Sequence, residues 1–205
     1  MTNPEQSLTL GARAMPGHPT SETRNHRMQE RSNLAVALQY AAEGIAVFPC
    51  FEAGPRAKEP RTQHGHHDAT TEIARIHSWW KLWPSALVGV PAGPVSGFWV
   101  LDVDGAAGLA SLRELLAKLG LSTVGDLTRI VARTPSGGLH LYFALGDGER
   151  PRNRANDIGP GLDTRGLKED GTSAGYIIAP GSVLPGGLAY EWIDTATLSD
   201  MGECA

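Results

Sequence analysis

Asp102 and Asp104 close the string Phe98-Trp99-Val100-Leu101-Asp102-Val103-Asp104-Gly105, and their spacing is the first feature with chemical content. The apolar run predicts a buried strand, and side chains at i and i+2 of a strand leave from the same face. Two carboxylates side by side repel one another unless a cation lies between them. Oxygen-only donors favour hard Mg²⁺ or Mn²⁺ over zinc. The plain alternative is a turn in which one Asp caps the next helix and the other is solvated.

A second string, Arg133-Thr134-Pro135-Ser136-Gly137-Gly138-Leu139-His140-Leu141-Tyr142-Phe143, reads as two strands joined by a glycine turn. Without side chains, Gly137 and Gly138 let backbone N–H groups approach an anion such as a phosphate. His140 alternates with Leu139 and Leu141, which puts it on the opposite face of the second strand; an ordinary hairpin with a half-buried histidine is the plain alternative. A third string, Gly159-Pro160-Gly161-Leu162-Asp163-Thr164-Arg165-Gly166, adds a carboxylate, and Arg165 shares its face if the segment is extended. Its plain alternative is a surface ion pair on an edge strand. Together the strings hold the parts of a phosphoryl-transfer site: an acidic metal cradle, a phosphate-holding turn, and His or Arg to offset charge.

The elements that must position these parts can be read from periodicity. Ser32 or Asn33 caps a helix with Leu34, Ala37, Leu38 and Ala41 on one face, and Gly44 stops it. A strand is predicted over 45–48, then a loop over 49–69 carrying Arg56, Lys58 and Arg61. A helix over 71–83 has Thr71 as its cap and Ile73, Ile76 and Trp80 on its buried face, with Pro84 closing it. Strands follow over 87–90 and 98–103, a helix over 109–119 ending at Gly120, and strands over 129–133, 139–144, 176–179 and 189–193. This order predicts an α+β fold rather than a βαβ alternation. Residues 1–31 are polar and aperiodic, which predicts a flexible tail before a single domain over 32–205.

The 205 residues, 25 of them Gly and 14 Pro, suit one core of short strands and many turns. Two cysteines, Cys50 and Cys204, make neither a disulfide framework nor a zinc cluster, and the setting expected is reducing and cytoplasmic. No apolar run is long enough to span a membrane, and the N-terminus lacks the layout of a secretory signal. The net charge of −4 predicts weak intrinsic affinity for nucleic acid, with local Arg and Lys clusters or a tethered partner assisting.

In order and combination, Asp102-Val103-Asp104-Gly105, Ser136 to Phe143, Asp163-Thr164-Arg165-Gly166 and Ala179-Pro180-Gly181-Ser182 resemble the bifunctional primase-polymerase domain of the archaeo-eukaryotic primase superfamily. Tyr40 to Pro49 resembles its opening helix and strand; His64 to Thr71 and Trp79-Trp80 resemble its next segments, so the likeness runs from about Leu34 to Trp192. The resemblance implies an RRM-like catalytic sheet joined to a smaller N-terminal α/β lobe, with the active site in the cleft between them. It implies template-directed DNA synthesis, as polymerase, primase or both, in replication of a plasmid, phage or other mobile element. Asp102, Asp104 and Asp163 would bind two divalent ions, Mg²⁺ or Mn²⁺, and His140 would contact the phosphates of the incoming nucleotide. Arg133, Arg165 and Lys58 are candidates for phosphate or template contacts. Implied partners are a DNA template and primer, dNTP or NTP, and a helicase or helix-bundle region in cis or trans. Wider relatives carry Ser two residues before the histidine; here that position is Gly138, so Ser136 or backbone N–H groups would supply the contact. Some members hold a zinc stem, which two cysteines do not supply.

Three other readings compete. A HAD-type phosphatase also opens on a strand ending in Asp-x-Asp-Gly, but the later acidic pair it needs fails at Pro151 after Gly146-Asp147. A rolling-circle endonuclease is suggested by His64-Gly65-His66-His67, although Gly65 stands where an apolar residue belongs. A nucleotide- or DNA-binding accessory module would keep the site residues without turnover.

Overall fold

The computed structural model describes residues 32–148 and 151–193. The expected tail over 1–31 lies outside them, as does Cys204. Among the described residues, four α-helices and nine strands give an α+β fold with two antiparallel sheets.

Helix α1 (Asn33–Ala42) is capped as its sequence demands: Ser32 Oγ accepts from the Ala35 N–H. Gly44, at φ 80°, then turns the chain. Strand β1 (Phe48–Cys50) begins three residues later than periodicity suggests, because Val47 is spent on an isolated bridge to Thr70. A short 3₁₀ turn (Gly65–Asp68) interrupts the expected loop. Helix α2 (Ile73–Leu82) starts after Glu72 with no side-chain cap, so the Thr71 cap is corrected. Ile76 and Trp80 are buried as expected, but Ile73, at the first helical position, is 47% exposed.

Strands β2 (Leu87–Pro91) and β8 (Tyr176–Ile178) complete a small sheet of order β1-β2-β8. The larger sheet has order β6-β7-β3-β5-β4-β9. Its centre is β3 (Phe98–Val103), flanked by β5 (Leu139–Ala144) and β7 (Leu162–Arg165). Strand β4 (Val131–Arg133) and β9 (Glu191–Ile193) extend one side and β6 (Arg154–Gly159) the other. Helix α3 (Gly105–Leu119) starts four residues earlier than its apolar pattern, directly after β3. Helix α4 (Val124–Leu127) is a single turn fixed by a reciprocal capping box between Thr123 and Asp126.

Strand alternation divides the core. Leu101 and Val103 of β3, Leu141 of β5 and Leu162 of β7 pack beneath Leu112 and Leu116 of α3. On the opposite face Phe98, Val100 and Tyr142 join Ala37, Tyr40, Ile76, Trp80, Val88, Val90 and Ile177 from the small sheet and the first two helices. A buried amide ties these parts: Asn33 Oδ1 accepts from the Val183 N–H at 2.8 Å, and its Nδ2 donates to the carbonyls of Val183 and Ser85 at 3.0 and 3.3 Å. Asn33→Ala would leave those groups dry and unpaired, a loss of about 1–3 kcal/mol. Urea denaturation should show the midpoint falling at unchanged slope; a loss below about 0.5 kcal/mol, the scale of an ordinary surface substitution, would mean solvent replaces the amide.

Candidate active site

Register sets the site. Asp102 lies opposite His140 on one side and Asp163 on the other. Directly paired residues project from the same face, so Asp163, Asp102 and His140 form one row across three strands, each about 5 Å from the next. Arg165, two residues after Asp163 on β7, shares that face. Its Nη2 donates to Asp102 Oδ2 at 2.9 Å and to Asp163 Oδ2 at 3.0 Å, and its Nε reaches Asp102 Oδ2 at 3.3 Å. The plain alternative of a surface ion pair on an edge strand fails in its placement: Arg165 and Asp163 do pair, but β7 lies between β6 and β3, and Asp163 Oδ1 also accepts from the Asn156 N–H at 3.0 Å.

Asp104 stands at the N-cap of α3, but its side chain makes no capping bond. It is left exposed toward a cavity of about 290 Å³ lined also by Asp102, His140, Arg165, Lys58 and Ser136. What places Asp104 is its backbone, whose N–H donates to the Gly161 carbonyl at 2.8 Å. That contact requires Gly108, since a Cβ there would meet the Gly161 oxygen at 2.5 Å. The same logic explains Gly138: a Cβ would lie 2.3 Å from the Val103 carbonyl, so the turn can pack on the end of β3 only without a side chain. Thr134 Oγ1 accepts from the Gly138 N–H and bonds Ser136 Oγ, and both hydroxyl residues line the cavity.

Lys58 approaches from the loop after β1. Its own φ of 70° is strained for a side-chain-bearing residue, and the turn is pinned by its N–H to the Phe51 carbonyl and by Tyr176 Oη donating to its carbonyl. Lys58 Nζ lies 5.9 Å from the Tyr190 ring centroid, and that ring is 5.6 Å from His140. Tyr176 and Tyr190, with Thr134 and Asn153, line the cavity without having been singled out from sequence. Gly137 turns at φ 85°, while Arg133 is exposed on β4; neither it nor Gly137, Gly138 or Asp163 is in the cavity wall.

Burial, then the charge of Asp163, holds the Asp102 carboxyl above its usual range, with Arg165 opposing. Asp104 is also raised, by desolvation and then by Asp102. Desolvation works against the charge of Arg165, but its hydrogen bond to Asp102 and the three carboxylates outweigh it and hold the guanidinium above its usual value. His140 is pushed down to about 3 by burial, then by Arg165 and Lys58. It is therefore neutral, and its 3.5 Å approach to Asp102 Oδ1 is no ion pair. His140 Nδ1 has no hydrogen-bond partner among the described residues.

The donor set suits a hard divalent ion: Asp102 and Asp104 are carboxylates raised first by burial, then by the charge of Asp163 on Asp102 and of Asp102 on Asp104, and an added cation would relieve both. Among the described residues no three His, Cys, Asp or Glu side chains are gathered closely enough to hold a metal as they stand. The guanidinium of Arg165 bridges Asp102 and Asp163 instead. The rival constellations are not assembled. The sheet around β3 is antiparallel on both sides, unlike a doubly wound phosphatase. His64 pairs with Asp68 and His66 Nε2 with the Ser173 carbonyl, rather than converging as ligands.

Acid should expose the cost of burying His140. The unfolded chain takes a proton near pH 6.5, which the folded chain refuses down to about pH 3. Stability at this position is thus intact above pH 6.5 and declines as pH falls below it, by up to about 1.4 kcal/mol per pH unit. Asp102 and Asp104 act oppositely, since carboxyls raised by folding gain stability as they protonate, so the window to measure is pH 7 to 5.5. His140→Asn should flatten that limb in pH-resolved denaturation; equal slopes would count against the assignment.

No curated protein matches the chain. Residues 37–204 match the bifunctional DNA primase/polymerase N-terminal family. That span takes in β1 through β9 and every residue of the carboxylate row and its rim, and the chain belongs to this family.

Proposed function

We propose that the chain performs template-directed DNA synthesis, as polymerase, primase or both, in replication of a plasmid, phage or other mobile element. The observation that carries this reading is the cross-strand row of Asp163, Asp102 and His140, with Asp104 beside a cavity bordered by Lys58 and Arg165. The large sheet is read as the RRM-like catalytic sheet, and the cavity as the catalytic cleft between it and the smaller lobe, because Lys58, Ile177 and Ile178 approach from the side of the small sheet.

Asp102, Asp104 and Asp163 would hold Mg²⁺ or Mn²⁺, which when bound supplies Lewis acidity for a hydroxyl nucleophile and a leaving pyrophosphate. The chain's own side chains do the remaining work. Lys58 and Arg165 carry positive charge to the cavity, where a triphosphate would be neutralised. Ser136 and Thr134 offer hydroxyl donors at the mouth of the turn. His140, neutral and in the cavity wall, would offer its imidazole as a hydrogen-bonding group to a phosphate oxygen. A buried neutral imidazole positions without adding charge, which leaves neutralisation to the two cations.

Extension of a primed template by labelled dNTPs in Mn²⁺ or Mg²⁺ tests this reading. Asp102→Asn and Asp104→Asn should each lower synthesis by about 10²–10³-fold or more, a range set by the loss of one group aimed at transition-state charge, and chelation should abolish it. Nucleotide binding without any synthesis by the wild type would instead assign an accessory module.

A further inference from the structure

Arg165 is placed differently from an ordinary phosphate-binding arginine. Its guanidinium is committed to the very carboxylates that the proposed reaction needs for cations: Nη2 lies 2.9 Å from Asp102 and 3.0 Å from Asp163, with Nε at 3.3 Å from Asp102. Asp102 is 8% exposed, so its charge requires a nearby partner at all times. His140 Nε2 stays 3.5 Å from Asp102 Oδ1, farther than the Arg165 contacts, and Lys58 reaches the cavity from an exposed loop. Arg165 is thus the close, hydrogen-bonded counter-charge of the row.

We propose that Arg165 is a resident counter-cation with two stations: it neutralises Asp102 and Asp163 before the site is loaded, and moves to the incoming triphosphate when divalent ions take those carboxylates. This rests on the nucleotidyl-transfer reading above. The geometry permits the exchange. Arg165 extends from the last residue of β7, its side chain is 28% exposed, and it borders the same cavity as Lys58 and Ser136. One guanidinium cannot donate to Asp102 Oδ2 in two places while that oxygen binds a divalent ion in full, because the two cations repel and seek the same lone pairs. Arginine suits both stations, since its planar fork matches carboxylate and phosphate alike. Arg165 is therefore a competitor of divalent ions in the empty enzyme and an ally of the nucleotide in the loaded one.

Binding of Mn²⁺ alone, without nucleotide or DNA, separates these roles, read by the loss of the free-ion electron paramagnetic signal. Arg165→Gln removes the competitor and should bind Mn²⁺ about tenfold or more tightly than wild type, the scale of one unit charge withdrawn from a partly buried site. Arg165→Lys keeps the charge and should stay within about threefold of wild type, since the charge term is what the substitution preserves. With Mn²⁺ saturating, Arg165→Gln should bind a nonhydrolysable nucleoside triphosphate more weakly than wild type. Equal or weaker Mn²⁺ binding by Arg165→Gln overturns the proposal.

Should the Gln variant not fold, the arginine side-chain NMR signals of the wild type decide. The Arg165 Nε–H resonance should shift with the same midpoint as Mg²⁺ binding, and a resonance unmoved at saturation overturns the two-station arrangement. Mn²⁺ antagonism in a protein that synthesises nothing would sink the polymerase reading and leave only the first station, on Asp102 and Asp163, standing. Synthesis without antagonism would do the reverse.

Discussion

An anionic side chain with little access to water occupies the middle of a six-stranded sheet, and much of the surrounding structure serves to keep it there. Transfer of a lone carboxylate into a protein interior costs several kcal/mol even after relaxation. Asp102 meets that cost through Arg165, whose guanidinium spans to Asp163 on the neighbouring strand. The Asp102 carboxyl stays above its usual range despite Arg165, because burial and then the charge of Asp163 outweigh the guanidinium. His140 takes the opposite course and gives up its charge altogether. The row of two carboxylates and one neutral ring is thus held by a single cation, Arg165, which leaves it with a net negative charge that favours cationic ligands.

The sheet converts this electrostatic problem into a geometric solution. Antiparallel pairing on both sides of β3 fixes the register, and a slip by one residue would turn Asp102 into the layer under α3 and bring Leu101 to the cavity. The apolar alternation that packs Leu101, Val103 and Leu141 against the helix is therefore the same alternation that aims Asp102 and His140 the other way. Stability and site geometry share one cause.

Much of this was legible in the sequence, and the gaps have physical reasons. Strands β3 and β5 carry strong alternation or continuous apolar runs, and their bounds fall where periodicity puts them. Strand β6, at the edge beyond β7, went unseen because Arg154-Ala155-Asn156-Asp157-Ile158-Gly159 has no apolar face; it is an exposed, irregularly paired edge held by β7, with Asn156 at φ 55°. Helix α4 is too short for any period, though the Thr123-x-x-Asp126 capping signature was there to be read. Asp102, Asp104, Asp163 and His140 could be singled out, but not the role of Arg165, because an ion pair across 63 residues depends on register that local pattern does not encode. Tyr176 and Tyr190 were hidden for a related reason: an aromatic on a strand looks like core until the facing sheet is known.

The side chains around the cavity fall into two mechanical classes. Asp102, Asp163 and His140 hang from paired strands, where ladder hydrogen bonds on both flanks of β3 oppose displacement. Asp104, Ser136 and Lys58 stand instead on a helix cap, a glycine turn and a strained loop residue, positions that can adjust without breaking the ladder. Groups that must share a charge between them need fixed separations of a few ångströms, and Coulomb energy in a partly dry site changes steeply over that range. Groups on a cap, a turn or a loop keep the compliance that paired strands lack. Arg165 is anchored on a strand but ends in a long side chain open to the cavity, so it belongs to both classes. That dual character is what allows one residue to stabilise the empty row and still be free to respond to what enters.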